Sequence, residues 1–135
     1  MPVKKPPVKL GHLQLAVMRS LWARKSASVN DVHDDLYDAL KLAPTTVATV
    51  LRRMEAKGLV THSEAGRQFL YQPLISEEAV AESAAEEVLD HLFEGRLAEM
   101  VSHLLDNRRV SSQELDRLAL LIADKRKQRK HKHGK

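Results

Sequence analysis

Cysteine is absent from the 135 residues, which excludes disulfides, a thiolate nucleophile and a thiolate metal site. Aromatic residues make up 4% of the chain, so a core must rest on Leu, Val, Ala and Met, for which an apolar fraction of 43% suffices. No apolar run approaches the roughly 18 residues of a membrane span. The basic start MPVKKPPVKL has no apolar h-region behind it, so a signal peptide is not expected. The expected compartment is therefore the cytoplasm. The sequence shows no Gly-rich phosphate loop, no nucleophile elbow and no matched His-carboxylate pair on an identifiable cleft, and Glu77/Glu78 and Glu86/Glu87 read as helix surface. Neither enzyme chemistry nor a cofactor is expected.

What is present is charge, unevenly placed. Residues 1–75 hold 11 Lys/Arg against 6 Asp/Glu, residues 76–124 hold 4 against 12, and the last eleven residues hold 7 against none. A basic head, an acidic middle and a basic tail point to a polyanion partner for the head. DNA would repel the acidic middle, so that part is expected to face away from it.

The pattern along the chain separates four parts: a disordered basic arm (1–9), a head (10–75), a helical region (76–124) and a basic tail (125–135). In the head, Leu13, Val17 and Leu21, widened by Leu10, Met18 and Trp22, predict a helix from Leu10 to Arg24. Ser28 and Asp31 approximate a capping box for a second helix, with Val29, Val32, Leu36, Ala39 and Leu40 on its buried side. Ala27-Ser28-Val29 is a candidate short strand beside the wing. Pro44 suits the first position of a third helix, whose stripe is Val47, Val50, Leu51 and Met54 and whose C-terminal cap is Gly58. Two β-prone runs then flank a turn at Gly66, with Pro73 closing the second. Beyond Ser76 three helices are expected: one carrying Val80, Ala84, Val88 and Leu92 to Gly95, one from Arg96 to Leu105, and one capped by Ser111 or Ser112. They are too small to form a good core alone, and a second copy would cover their apolar faces. The dimer-interface candidates are Val88, Leu92, Leu97, Val101, Leu104, Leu115, Leu118, Leu121 and Ile122. The final KRKQRKHKHGK reads as a frayed helix end and a loose tail.

On the third helix, Thr45, Thr46, Ala48, Thr49, Arg52, Arg53 and, a turn later, Lys57 point away from the apolar stripe. Small residues at a helix start let its backbone enter a major groove, and threonine offers a hydroxyl to base edges and a methyl to thymine. Thr45, Thr46, Ala48 and Thr49 are thus the base-reading candidates. Arg52, Arg53 and Lys57 suit the flanking phosphates, which supply affinity and salt dependence rather than sequence information. The hairpin adds His62 and Arg67 as backbone candidates, since an arginine at a tight glycine turn reaches an adjacent strand or minor groove. Each feature alone has an ordinary alternative, a solvated helix face or a solubilising hairpin tip. Together they match a recognition helix followed by a wing. The expected fold is mainly α with a small β-wing: a winged helix-turn-helix DNA-binding domain plus a C-terminal helical dimerisation arm. Two rival functions stand beside DNA binding: a winged-helix protein-interaction module, and a metal-responsive regulator using histidines. Against the second, His12, His33, His62, His91 and His103 lack i, i+4 spacing with carboxylate support, so no metal site is expected. Trp22, Tyr37, Phe69, Tyr71 and Phe93 are scattered and mostly on apolar stripes, which favours core or interface over base stacking.

The strings LGHLQLAVMRSLW, SVNDVHDDL, APTTVATVLRRMEAKGLV and GRQFLYQPL resemble the penicillinase-repressor family (BlaI/MecI/CopY type) from about Leu10 to Ile122. The most specific piece is P-x-T-[VI]-x-T-x-L-x-R-[LM]-x-x-KG-x-[VIL], here Pro44 to Val60. The resemblance implies a homodimer of winged-helix heads joined by C-terminal helices, which binds an inverted-repeat operator and represses adjacent genes. It also implies that Thr46 and Thr49 are recognition-helix threonines and Arg53 a backbone-contacting arginine, while Ala48 stands where some members carry a basic base reader. In antibiotic-responsive members a regulatory protease cuts an Asn-Phe bond in the C-terminal helices, and the corresponding pair here is His103-Leu104. Copper-responsive members end in a cysteine-rich motif that this chain lacks.

Overall fold

The computed structural model describes residues 8–133. Its order is α1 (His12–Arg24), α2 (Val29–Leu40), α3 (Pro44–Ala56), β1 (Val60–Ala65), β2 (Gln68–Pro73), α4 (Glu77–Phe93), α5 (Leu97–Asn107) and α6 (Ser112–His133). The described residues up to Val88 pack as one unit and those from Leu89 as a second.

Local signals explain where the elements of the head begin and end. At the start of α2, Ser28 Oγ accepts from the Asp31 N–H (3.1 Å) and Asp31 Oδ2 accepts from the Ser28 N–H (3.0 Å), a complete capping box. Lys41 leaves α2 in the left-handed conformation, and Pro44 opens α3 at the position where a missing N–H costs nothing. Gly58, at φ +81°, closes α3: its N–H donates to the Glu55 carbonyl and that of Leu59 to the Met54 carbonyl, both at 3.0 Å. That is the Schellman pattern, which needs a left-handed residue at this point.

β1 and β2 pair antiparallel from Val60↔Pro73 to Ala65↔Gln68, leaving Gly66-Arg67 as a two-residue loop. Gly66 has φ +65° and Arg67 no positive φ, as a type II′ hairpin requires. Ala27 adds a single antiparallel bridge to Tyr71, with N–H···O distances of 3.0 and 2.8 Å, so the expected third strand is one residue pair long.

The core of the head joins Val17, Met18 and Leu21 of α1, Val32 and Leu36 of α2, Val47, Leu51 and Met54 of α3, and Ala27, Val60 and Tyr71. Truncating a buried Leu or Met here to Ala should cost about 2–5 kcal/mol. Ala39 and Leu40 are exposed, contrary to expectation, because α2 meets the core through Val32 and Leu36 and the last turn runs past it. Trp22 Nε1 donates to the Ile75 carbonyl (2.9 Å), tying the chain beyond β2 to α1.

Most of the expected disordered arm, residues 1–7, lies outside the described residues. Val8 and Lys9 are held by α4: the Val8 N–H donates to Ser83 Oγ (2.8 Å) and Lys9 Nζ lies 3.1 Å from Glu87. At the other end, α6 continues through the basic run to His133, beyond the frayed end expected from the sequence. Lys, Arg and Gln are good helix formers, and no Gly or Pro interrupts them before Gly134.

Candidate nucleic-acid interface

α3 buries Val47, Leu51 and Met54 and turns its opposite side outward. Thr45, Thr46, Arg52, Arg53 and Lys57 are exposed there, while Ala48 and Thr49 are half-buried. The face thus begins small and hydroxylated and becomes cationic one to two turns later. Thr49 Oγ1 donates to the Thr45 carbonyl (3.0 Å) and accepts from Arg52 Nη2 (3.3 Å). Its proton is therefore engaged within the helix, and Arg52 is drawn back along the threonine face. Thr46 is the more accessible hydroxyl.

The wing is fastened to α3 by a contact that the sequence reading missed. His62 Nδ1, on β1, lies 2.8 and 2.7 Å from the two carboxylate oxygens of Glu55, on α3. The His62 ring stacks on Phe69 at 4.2 Å between centroids and leans on Tyr71 at 5.5 Å. Phe69 sits diagonally across the hairpin from His62, within reach of a cross-strand ring contact. His62 thus fixes the wing's position against α3, while Arg67 projects, exposed, from the hairpin tip. Burial raises the pKa of the Tyr71 phenol, with the Glu55 charge adding to this and Arg52 opposing it. No local pattern reveals the Glu55–His62 pair, because seven residues and a helix end separate its members.

Behind α3, α1 is clamped to α2. Arg24 donates to both oxygens of Asp35, Nε at 2.7 Å and Nη2 at 2.8 Å, and Ser20 Oγ adds a third bond at 2.6 Å. The Asp35 carboxylate is held at a pKa of about 2, first by the Arg24 hydrogen bonds, against the cost of burial, and then by Ser20 and the Arg24 charge. The clamp steadies the two helices on which α3 rests. Among the described residues, no group of three or more His, Asp or Glu is placed to hold a metal ion. No helix of the described residues is long and apolar enough to cross a membrane.

A family model described as penicillinase repressor matches residues 10–124, most of the chain. The chain belongs to the penicillinase repressor family. Its similarity to the penicillinase repressor of Bacillus licheniformis is 30% identity over 95% of this chain and 99% of that one. With the transcriptional regulator BlaI of Mycobacterium tuberculosis (strain CDC 1551 / Oshkosh) it shares 33% identity over 86% and 84%. Among solved structures, one of the monomeric form of Bacillus licheniformis BlaI in complex with the blaP half-operator is 32% identical. That match covers 56% of this chain and 93% of that one, with a TM-score of 0.48. As a member of the family the chain is a DNA-binding transcriptional repressor, not an enzyme.

Proposed function

We propose that this penicillinase repressor family member docks α3 in the major groove and acts as a homodimer on an inverted-repeat operator. Thr45, Thr46, Ala48 and Thr49 face the bases, and Arg52, Arg53, Lys57 and Arg67 face the phosphates. His62 serves the backbone contact indirectly, by setting the wing. The observation that carries the docking mode is the outer face of α3, small at its start and cationic beyond, with a cationic wing tip tied to it through Glu55 and His62. Lacking a basic side chain at Ala48, the helix start reads bases chiefly through threonine hydroxyls and methyls.

Pairing of two copies is supported by the C-terminal region. None of the described residues 89–130 is buried, although the region is rich in leucine. Val88, Leu92, Leu97, Leu104, Leu115, Leu121 and Ile122 are all exposed, Leu92 by 73%, and Val101 and Leu118 are half-buried. Apolar surface of that kind marks an association site, and a second copy supplies the same surface in return. The region 76–124 then serves as the dimerisation arm, and repression takes place in the cytoplasm. A regulatory protease acting at His103-Leu104 meets exposed side chains but a bond inside α5, where the His103 carbonyl also accepts from Asn107 Nδ2 (2.8 Å). Cleavage there requires α5 to open locally.

The test is a binding series with duplexes recovered by capture of bound genomic fragments. Arg53→Ala should weaken binding to all duplexes alike and make the salt dependence shallower by about 1 per protomer, about 2 for the dimer. Thr46→Ala should alter preference at one position of the site by about 1–3 kcal/mol. Binding with unchanged affinity and preference in both variants would rule out this docking mode.

A further inference from the structure

The family model's match ends at residue 124, the alignment with the Bacillus licheniformis repressor runs past it over 95% of the chain, and α6 continues as helix through residues 125–133. In residues 125–130 it carries Lys125, Arg126, Lys127, Arg129 and Lys130, every one exposed, with Gln128 the remaining side chain. No Asp or Glu occurs among residues 125–135. Four-residue spacing puts Lys125 beside Arg129 and Arg126 beside Lys130 on the helix surface, and like charges so placed destabilise a helix in water. Among the described residues, none of the five cations pairs with a carboxylate. A linear polyanion relieves that repulsion. Duplex DNA, with one phosphate charge per about 1.7 Å of axis, is such a polyanion.

We propose that residues 125–130 of α6 form a second DNA site, which binds the phosphate backbone without reading sequence. The choice of DNA as the polyanion rests on the repressor function of the head. An anionic membrane surface fits less well, because a helix lying in that surface needs an apolar face and this stretch has no apolar residue. Such a site raises affinity for any duplex and leaves discrimination to α3. It would hold the protein on non-operator DNA during its search.

The test replaces all five cations together (K125Q, R126Q, K127Q, R129Q, K130Q), since glutamine keeps helix propensity close to that of Lys and Arg. Binding is measured across a salt series to a genomically captured operator duplex, to a random-sequence duplex of equal length and to phosphatidylserine vesicles. The expected result is weaker binding to both duplexes by a similar factor, with the ratio between them unchanged. The slope of log K against log salt should be shallower by up to about 4.5 per protomer, from five cations at roughly 0.9 each. The same slope difference should appear when R53A is present in both chains, because α3 and the tail contribute independently. If the variant binds both duplexes with wild-type slope and affinity, the tail proposal is overturned and the reading of the head stands. Loss of vesicle binding with duplex binding intact overturns it in favour of a membrane. Failure of the unsubstituted chain to bind either duplex overturns both readings.

Discussion

Removing the carboxylate of Asp35 should loosen the platform beneath α3 by an amount the structure allows to be worked out. Asp35 accepts bonds from Arg24 Nε, Arg24 Nη2 and Ser20 Oγ at 2.7, 2.8 and 2.6 Å, and its pKa is held at about 2 instead of the ordinary 3.8. That displacement corresponds to about 2.5 kcal/mol of preference for the charged form in the folded state. The side chain is 33% exposed, so solvent screening reduces the usable part to about 1 kcal/mol. Because the folded-state pKa lies below the unfolded one, this contribution is complete above pH 3.8 and is lost as pH falls toward 2. Asp35→Asn should therefore lower Tm at neutral pH by roughly 4–8 °C for a unit of this size. The gap from the unsubstituted chain should close on acidification. Thermal melts followed by circular dichroism at neutral pH and at steps down to pH 2 measure both effects. Arg24→Gln in the Asp35→Asn background should cost little more, since the pair acts as one interaction. An Asp35→Asn chain as stable as the original at neutral pH would refute the reasoning, as would a Tm gap that persists unchanged at pH 2.

Two further outcomes are expected. Leu121→Glu places a charge on the exposed apolar surface of α6 and should yield monomers by light scattering at micromolar concentration, with a steep loss of operator affinity because two half-sites are no longer held together; a dimer with unchanged affinity would remove α6 from the interface. Glu55→Ala breaks the tie to His62, a part-exposed charge-assisted bond of about 1 kcal/mol, so amide exchange in β1 and β2 should quicken while α1 and α2 keep their protection; equal protection of the hairpin would show that the pair does not hold the wing.

What could be read in the chain is what depends on near neighbours. The helical stripes, the Ser28–Asp31 box, Pro44 at the start of α3, Gly58 at its end and the Gly66 hairpin all express conformational preferences over a few residues. Those preferences also determined which side of α3 faces outward, since burying Val47, Leu51 and Met54 leaves Thr45, Thr46, Arg52 and Arg53 no other place. The structure departs from the sequence pattern where a periodic stripe outruns its partner, as at Ala39 and Leu40, and along the basic run of α6, where helix propensity outweighs charge repulsion. Only the tertiary structure decided which distant groups meet. The hydrogen bond from Trp22 to Ile75 spans 53 residues, that from Val8 to Ser83 spans 75, and Ala27 finds Tyr71 across two helices and a strand. The placement of His62 belongs with these: its ring meets Glu55 of α3 and stacks on Phe69 only once the hairpin folds back on the helix. Periodicity tells a residue which face it occupies, but the partner on that face is set by how the elements pack, and no local preference encodes that.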